Sequence, residues 1–294
     1  MRQFSILSVG LEDSTHPTWC IGSTIGIIMD HPPKSPERRR LKTKRFFAWS
    51  VHFYTALGLV AAGAMAVAII EGGPANFRLA FLLMVIATVI DATDGTLARR
   101  VRVKEVLPGF DGRRLDDLID FQTYTALPLL LLFMAPNTLP SGQEAWLLVP
   151  LLASAYGFCQ VSAKTDDGFF LGFPSYWNVI AFYLYVLQPP GAVVIALLLF
   201  FSILTFVPFR YLYPTQRGRI NRLTNQLGFL WCLLLVWILG RLPDVPPEGR
   251  HADDMTCILT LVSLFFPAYY LGMSWLVSLR AVPPAALTVY RSPA

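Results

Sequence analysis

Long apolar runs separated by short polar or charged stretches dominate the chain from about residue 46 onward. They recur near 48–70, 77–98, 117–135, 145–163, 174–188, 191–209, 225–241 and 255–279. Roughly 20 predominantly apolar residues are needed for a helix to cross a hydrocarbon core, and a chain in lipid must satisfy its own backbone hydrogen bonds. The pattern therefore predicts an all-α integral membrane protein, a bundle of about eight transmembrane helices. Gln188, Pro189, Pro190 and Gly191 alone separate the fifth and sixth segments, which predicts a tight hairpin there. Residues 1–45 read differently, combining Pro, Ser and Thr with a basic cluster (Lys34, Arg38, Arg39, Arg40, Lys42, Lys44, Arg45) and no sustained period. Their apolar patch, Ile21 to Met29, is too short to span and lacks the charge-then-apolar order of a cleavable signal. The expected organisation is a basic, disordered cytosolic leader over 1–45, a membrane domain over 46–281 and a cytosolic tail over 282–294.

Composition sharpens this picture. Of the 294 residues, 54% are hydrophobic and only 15% charged, and the mean hydropathy of +0.51 is too high for a soluble domain of this length. Charge then orients the bundle. All of the 24 Lys and Arg residues except Arg78, Arg241 and Arg250 fall in the leader, the tail and the alternate loops on the same side. By the positive-inside rule, both termini and those loops are cytosolic. Topology thus accounts for the basic excess, and no nucleic-acid partner is expected. The four cysteines, Cys20, Cys159, Cys232 and Cys257, are scattered singly, which suggests neither a disulfide framework nor a zinc site.

Chemistry is concentrated between Asp91 and Asp120, in DATDGTLARRVRVKEVLPGFDGRRLDDLID. Asp91 and Asp94 are three apart, and Asp116 and Asp120 four apart, so on helices each pair presents two carboxylates to one side. Four converging acids would repel one another without bound cations, and hard oxygen ligands suit Mg²⁺ or Mn²⁺ held together with substrate phosphates. Gly95 permits close backbone approach, and Arg99 can grip a phosphate. A carboxylate at a helix centre costs roughly 2.5–3.5 kcal/mol on insertion scales, so such a cluster has to face a polar cavity. Intramembrane carboxylates also serve cation-coupled transporters, although no paired repeat of broken helices is apparent here.

The run D-x-x-D-G-x-x-A-R, followed by Gly112, Asp116 and Asp120, resembles the signature of the CDP-alcohol phosphotransferase family. The spacer between Arg99 and Gly112 is longer than in most of that family and resembles its bacterial phosphatidylcholine synthase branch. VRVKEVLP at 101–108, KTDDGFFLGFPSYWN at 164–178 and LTFVPFRYLYP at 204–214 share that likeness. The resemblance implies a multi-pass enzyme of the bacterial cytoplasmic (inner) membrane, its active site facing the cytosol. The implied reaction moves the phosphatidyl group of CDP-diacylglycerol to choline with release of CMP. Serine or glycerol phosphate is the alternative acceptor.

The family likeness also implies two Mn²⁺ or Mg²⁺ ions per site and a homodimer among membrane lipids. Asp91, Asp94 and Asp116 would hold one metal, with Asp91, Asp116 and Asp120 around a second and Asp120 also the general base. Gly95, Ala98, Arg99 and Gly112 match the positions that hold the cytidine nucleotide. Asp117 lies about 100° around the helix from Asp116 and is left outside the site. For choline, the aromatic stretch entering the fifth segment offers Phe169, Phe170, Tyr176 and Trp177, with Asp166 or Asp167 nearby, because ring faces attract a quaternary ammonium. The competing reading of those rings is an interfacial aromatic belt.

Overall fold

The computed structural model describes residues 35–160, 169–212, 219–245 and 249–281. Two compact units divide the chain, residues 1–41 and 42–294; in the first, the described residues are helical. Expectations for residues 1–34, for the loop carrying Asp166 and Asp167, and for the tail 282–294 lie outside the described residues.

Each apolar segment read from the sequence contains helix, in the order α1 (Ser35–Glu71), α2 (Pro74–Val101), a short α3 (Val103–Val106), and a continuous rod from Gly112 to Met134. After a 3₁₀ turn at Glu144–Leu147 come α6 (Leu148–Cys159), α7 (Trp177–Leu187), α8 (Gly191–Phe206), α9 (Arg219–Arg241), α10 (Asp254–Ser263) and α11 (Phe265–Ala281). Five of these rods are long and apolar enough to cross a membrane: Arg38–Glu71, Pro74–Val101, Gly112–Met134, Asn221–Arg241 and Asp254–Arg280. The expectation of about eight spans is therefore met in full length by five. Glu144–Cys159, Trp177–Leu187 and Gly191–Phe206 are apolar but shorter. At 1.5 Å per residue, the 11 residues of α7 reach only about 16 Å, short of the roughly 30 Å hydrocarbon core.

One further departure from the sequence reading concerns its edge. The basic stretch Arg38–Arg45, assigned to an unstructured leader, lies within α1; Arg, Lys and Leu are good helix formers, and hydrophobicity alone does not register them. The all-α expectation holds, and among the described residues a single small ladder accompanies the helices: β1 (Phe170–Leu171) pairs antiparallel with β2 (Arg210–Tyr211), Phe170 opposite Tyr211. That small ladder ties the segment before α7 to the segment after α8. Gly172, at φ 83°, makes the join, and a Cβ there would sit 2.4 Å from the Thr205 carbonyl oxygen. A glycine is therefore required by both conformation and space.

The core is built around α7. Trp177, Ala181, Leu184, Tyr185 and Val186 are all 2% exposed or less, so this helix is buried on nearly every side. Met65 and Ile69 of α1, Phe77, Phe81 and Met84 of α2, Leu131 and Leu132 of the Gly112–Met134 rod, and Ile238 and Leu239 of α9 pack into the same core. Large apolar side chains such as Val60, Val89, Phe229 and Val262 are exposed on the long rods, as lipid-facing surfaces require.

Two local features position the acids. The helix α2 starts at Pro74, a residue suited to the first turn, and ends where Arg102 turns left-handed at φ 55°. The Gly112–Met134 rod is capped by Asp111, whose carboxylate accepts from the backbone N–H groups of Arg113 and Arg114. That rod comprises α4 (Gly112–Asp120), a π-helical turn (Phe121–Ala126) and α5 (Leu127–Met134). The widened turn begins immediately after Asp120, and such insertions re-aim the side chains that follow.

Candidate active site

Asp91 and Asp94 stand in the C-terminal part of α2, and Asp116 and Asp120 on α4, so that Asp91, Asp116 and Asp120 converge. One carboxylate oxygen from each of these three can be chosen so that all lie within 4.8 Å of one another, and all three residues are half-buried. This is a hard-oxygen donor set of the kind that holds Mg²⁺ or Mn²⁺, and the mutual repulsion of three close carboxylates favours a cation among them.

Asp94 stands apart from the three. It is 5% exposed and accepts a 2.8 Å hydrogen bond from the Thr55 hydroxyl of α1. Three residues along a helix turn the side chain by 300°, which leaves Asp94 about 60° round the axis from Asp91. That angle suffices for α1 to engage one acid and the Gly112–Met134 rod to engage the other. Asp91 in turn accepts a 2.8 Å hydrogen bond from the hydroxyl of Tyr124 in the π-helical turn. Each acid of the first pair is thus fixed by a hydroxyl from a different neighbour, and Thr93, just before Asp94, makes a similar contact to α1, since the Tyr54 hydroxyl lies 2.7 Å from its own.

The residues matched to nucleotide binding lie along the same end of α2 and the start of α4. Arg99 folds back over Gly95, where a Cβ would stand 3.3 Å from its Nη1, and donates 3.0 Å to Thr96. Ala98 packs with Val51, Val103 and Leu107 in a small second core. Gly112 abuts His52 of α1: an added Cβ would fall 2.4 Å from the imidazole Cε1. The His52 ring is held by Phe110, with centroids 4.4 Å apart, and its buried Nε2 finds no hydrogen-bond partner among the described residues. Asp117 lies outside the convergent group.

The four rings singled out for choline do not share one environment. Trp177 is fully buried, its indole N–H donating 2.7 Å to Ser154. Phe170 is engaged in the β1–β2 pairing, and the guanidinium of Arg210 lies 5.7 Å over the ring of Phe169. Tyr176 is the one that approaches the acids, its ring centroid 6.3 Å from that of Tyr124. Sequence reasoning missed Thr55, His52 and Tyr124. For Tyr124 a signal existed, because it continues the four-residue spacing of Asp116 and Asp120. The other two sit on α1, far away in sequence, with nothing to mark them.

An apolar helical bundle with acids converging where two of its long rods meet defines a polytopic membrane enzyme with a metal-type site at one end of its helices. The chain belongs to the CDP-alcohol phosphatidyltransferase family, whose profile matches residues 52–207. Its curated relatives include a phosphatidylcholine synthase of Legionella bozemanae, 44% identical over 152 residues, covering 51% of this chain and 69% of that protein. Another, from Legionella pneumophila, is 41% identical over 186 residues, 62% of this chain and 69% of the relative. The phosphatidylcholine synthase of Rhizobium johnstonii is 35% identical over 240 residues, 78% of this chain and 96% of the relative.

Proposed function

We propose that this chain transfers the phosphatidyl group of CDP-diacylglycerol to choline, releasing CMP, in the cytoplasmic membrane of a bacterium. The observation that carries the reading is the convergence of Asp91, Asp116 and Asp120 in a chain of this family. That these relatives are phosphatidylcholine synthases supports choline as acceptor. In the reaction the choline oxygen attacks the phosphorus that bears the diacylglycerol, and the bond from that phosphorus to the CMP oxygen breaks. Asp120 accepts the hydroxyl proton. Asp91, Asp94, Asp116 and Asp120 would hold two Mg²⁺ or Mn²⁺ ions, which when bound withdraw charge from the diphosphate and make CMP a better leaving group. Arg99 meets the diphosphate, while Gly95, Ala98 and Gly112 leave room for the nucleotide. Thr55 and Tyr124 hold Asp94 and Asp91 in their rotamers.

The same reading carries a bundle of about eight helices, both termini and the acids at the cytosolic face, and a homodimer. A CMP-release assay on the purified protein, with CDP-diacylglycerol and a panel of choline, serine and glycerol phosphate, tests the chemistry. Choline-dependent CMP release is expected, and release driven by serine or glycerol phosphate alone would overturn the acceptor. Labelling of introduced cysteines tests the orientation: position 140 is expected to react from outside the cell and position 216 only after permeabilisation.

A further inference from the structure

Positive charge surrounds the end of the bundle that carries the acids. Residues 42–49 of α1 bring Lys42, Lys44 and Arg45, and residues 99–114, from the last turn of α2 to the first turn of α4, bring six more cations. Against these nine, the same two stretches hold only Glu105 and Asp111, which pair with Arg102 at 3.8 Å and with Arg114 at 3.4 Å. Lys42, Lys44, Arg100 and Lys104 are exposed and make no ion pair among the described residues. We propose that this basic collar binds the headgroups of anionic lipids, and so gathers the anionic liponucleotide at the acids while letting a zwitterionic product go, an assignment that rests on the transferase reading above.

Packing joins the two stretches into one surface. Ala48 and Val51 of α1 form a buried cluster with Val103 and Leu107, and the Trp49 ring lies 5.3 Å from that of Phe110, just before α4. The basic start of α1 is thereby held against the connection from α2 to α4. At 1.5 Å per residue, Arg100 stands about 9 Å along α2 beyond Asp94, and Arg113 about 4.5 Å along α4 before Asp116. The headgroup layer on each side of the hydrocarbon is about 5–7 Å deep, so acids at the hydrocarbon edge put the collar at the level of lipid phosphates. Phe46, Phe47 and Trp49 are exposed beside the cations of α1, and aromatic rings next to Lys and Arg seat a helix at a membrane interface.

Substrate and product differ in charge where the collar meets them. CDP-diacylglycerol carries an anionic diphosphate, whereas phosphatidylcholine balances its phosphate with a quaternary ammonium and is net neutral. Each Lys or Arg near an anionic lipid surface strengthens attraction by about five-fold, so the collar concentrates the first lipid and has no net hold on the second. The converging carboxylates of Asp91, Asp116 and Asp120 by themselves repel an approaching diphosphate, and the surrounding cations supply the opposite sign at longer range. Orientation in the membrane asks for positive charge on cytosolic loops. It does not ask for α1 to be packed onto one of them, with rings at the boundary and the acids within two helical turns.

Trp49, inside the collar, provides the test. In the full-length protein reconstituted in vesicles, the part of the fluorescence that Trp49→Phe removes is assigned to this ring. Phosphatidylglycerol with brominated chains is expected to quench it about three-fold or more better than brominated phosphatidylcholine at low salt. Raising salt from about 0.1 M to about 1 M shortens the Debye length from about 10 Å to about 3 Å, and the preference should disappear. Changing Lys42, Lys44, Arg100 and Lys104 together to Gln should remove it at low salt. In neutral mixed micelles the same variant should raise the KM for CDP-diacylglycerol about ten-fold or more, with kcat and the choline KM within two-fold. The salt series on wild type needs no variant, which covers the case in which the fourfold change does not insert. Equal quenching by the two lipids in wild type overturns the collar, as does a preference that survives both salt and neutralisation. An unchanged KM for CDP-diacylglycerol in the inserted variant overturns the gathering of substrate. CMP release driven by serine instead of choline removes the reading underneath while leaving the quenching result untouched, so the two failures are separable.

Discussion

Replacing Gly112 with Ala separates two reasons for having a glycine at the start of α4. The added Cβ would stand 2.4 Å from Cε1 and 2.9 Å from Nδ1 of His52. Ordinary contact near 3.6 Å requires about 1.2 Å of movement, and the imidazole has little freedom to supply it. It is 7% exposed and wedged between Phe110 at 4.4 Å and Trp49 at 5.9 Å. Overpacking of this kind costs about 1–3 kcal/mol. If α4 yields instead of the ring, Asp116 and Asp120 move with it, and an error of about 1 Å in a reacting group costs on the order of 10²-fold in rate. We expect Gly112→Ala to lower the melting temperature in detergent and to cut CMP release at saturating substrates by about two orders of magnitude. Adding His52→Ala opens the space, so the double variant is expected to recover to within a few-fold of His52→Ala alone, a coupling above 1 kcal/mol. Gly112→Ala with wild-type stability and turnover would refute the contact. A double variant as inactive as the single would show that the glycine serves the nucleotide and not the histidine.

Chelation with EDTA is expected to abolish CMP release, and Mg²⁺ or Mn²⁺ to restore it; full turnover in chelator would remove the cation from the site. Tyr124→Phe deletes the donor to Asp91 while keeping the ring, so kcat should fall about ten-fold, consistent with about 1.5 kcal/mol for a hydrogen bond to a charged group, with choline preference unchanged. An unaffected kcat would mean that Asp91 is held by other contacts. His251, in the loop before α10, stacks on Tyr185 at 4.2 Å and donates from Nε2 to the Pro136 carbonyl. Burial holds its pKa below the usual value, with the Pro136 contact opposing. The fold therefore prefers the neutral ring, while the unfolded chain takes up a proton as pH falls below about 6.5. Stability is complete above that pH and declines below it. Thermal unfolding from pH 8 to 5 should show this decline flattened in His251→Gln; a wild-type melting temperature that rises on acidification would contradict the sign.

Hydropathy locates every rod of the bundle because burial in lipid or core demands apolar residues whatever the detail of packing. Length is harder to read. The segment near 174–188 looks like a span by composition, yet α7 begins only at Trp177 and stops at Leu187, where Gln188 turns left-handed at φ 42° ahead of two prolines. An apolar helix buried by protein and one bathed by lipid have the same composition, so the central place of α7 is invisible until its neighbours are known. The π-helical turn after Asp120 is equally silent: FQTYTA contains no Gly or Pro to announce a widened turn, and tertiary contacts select it.

The acids were legible because their chemistry acts over short sequence distances. Spacings of three and four fix a common side of a helix, and no packing role asks for that many carboxylates in an apolar chain. The spacing could not place Asp94, since the 60° between it and Asp91 matters only once α1 presents Thr55 to one acid and Tyr124 reaches the other. The rings expected for choline are the opposite case. Phe169, Phe170, Tyr176 and Trp177 are close in sequence, yet Arg210 lies over Phe169, Trp177 bonds to Ser154, and Tyr176 approaches Tyr124. Metal-type ligands on one helix can be seen from sequence because the helix itself brings them together, whereas the partners of rings in an irregular segment are set by the ladder of β1 on β2 and by neighbouring helices.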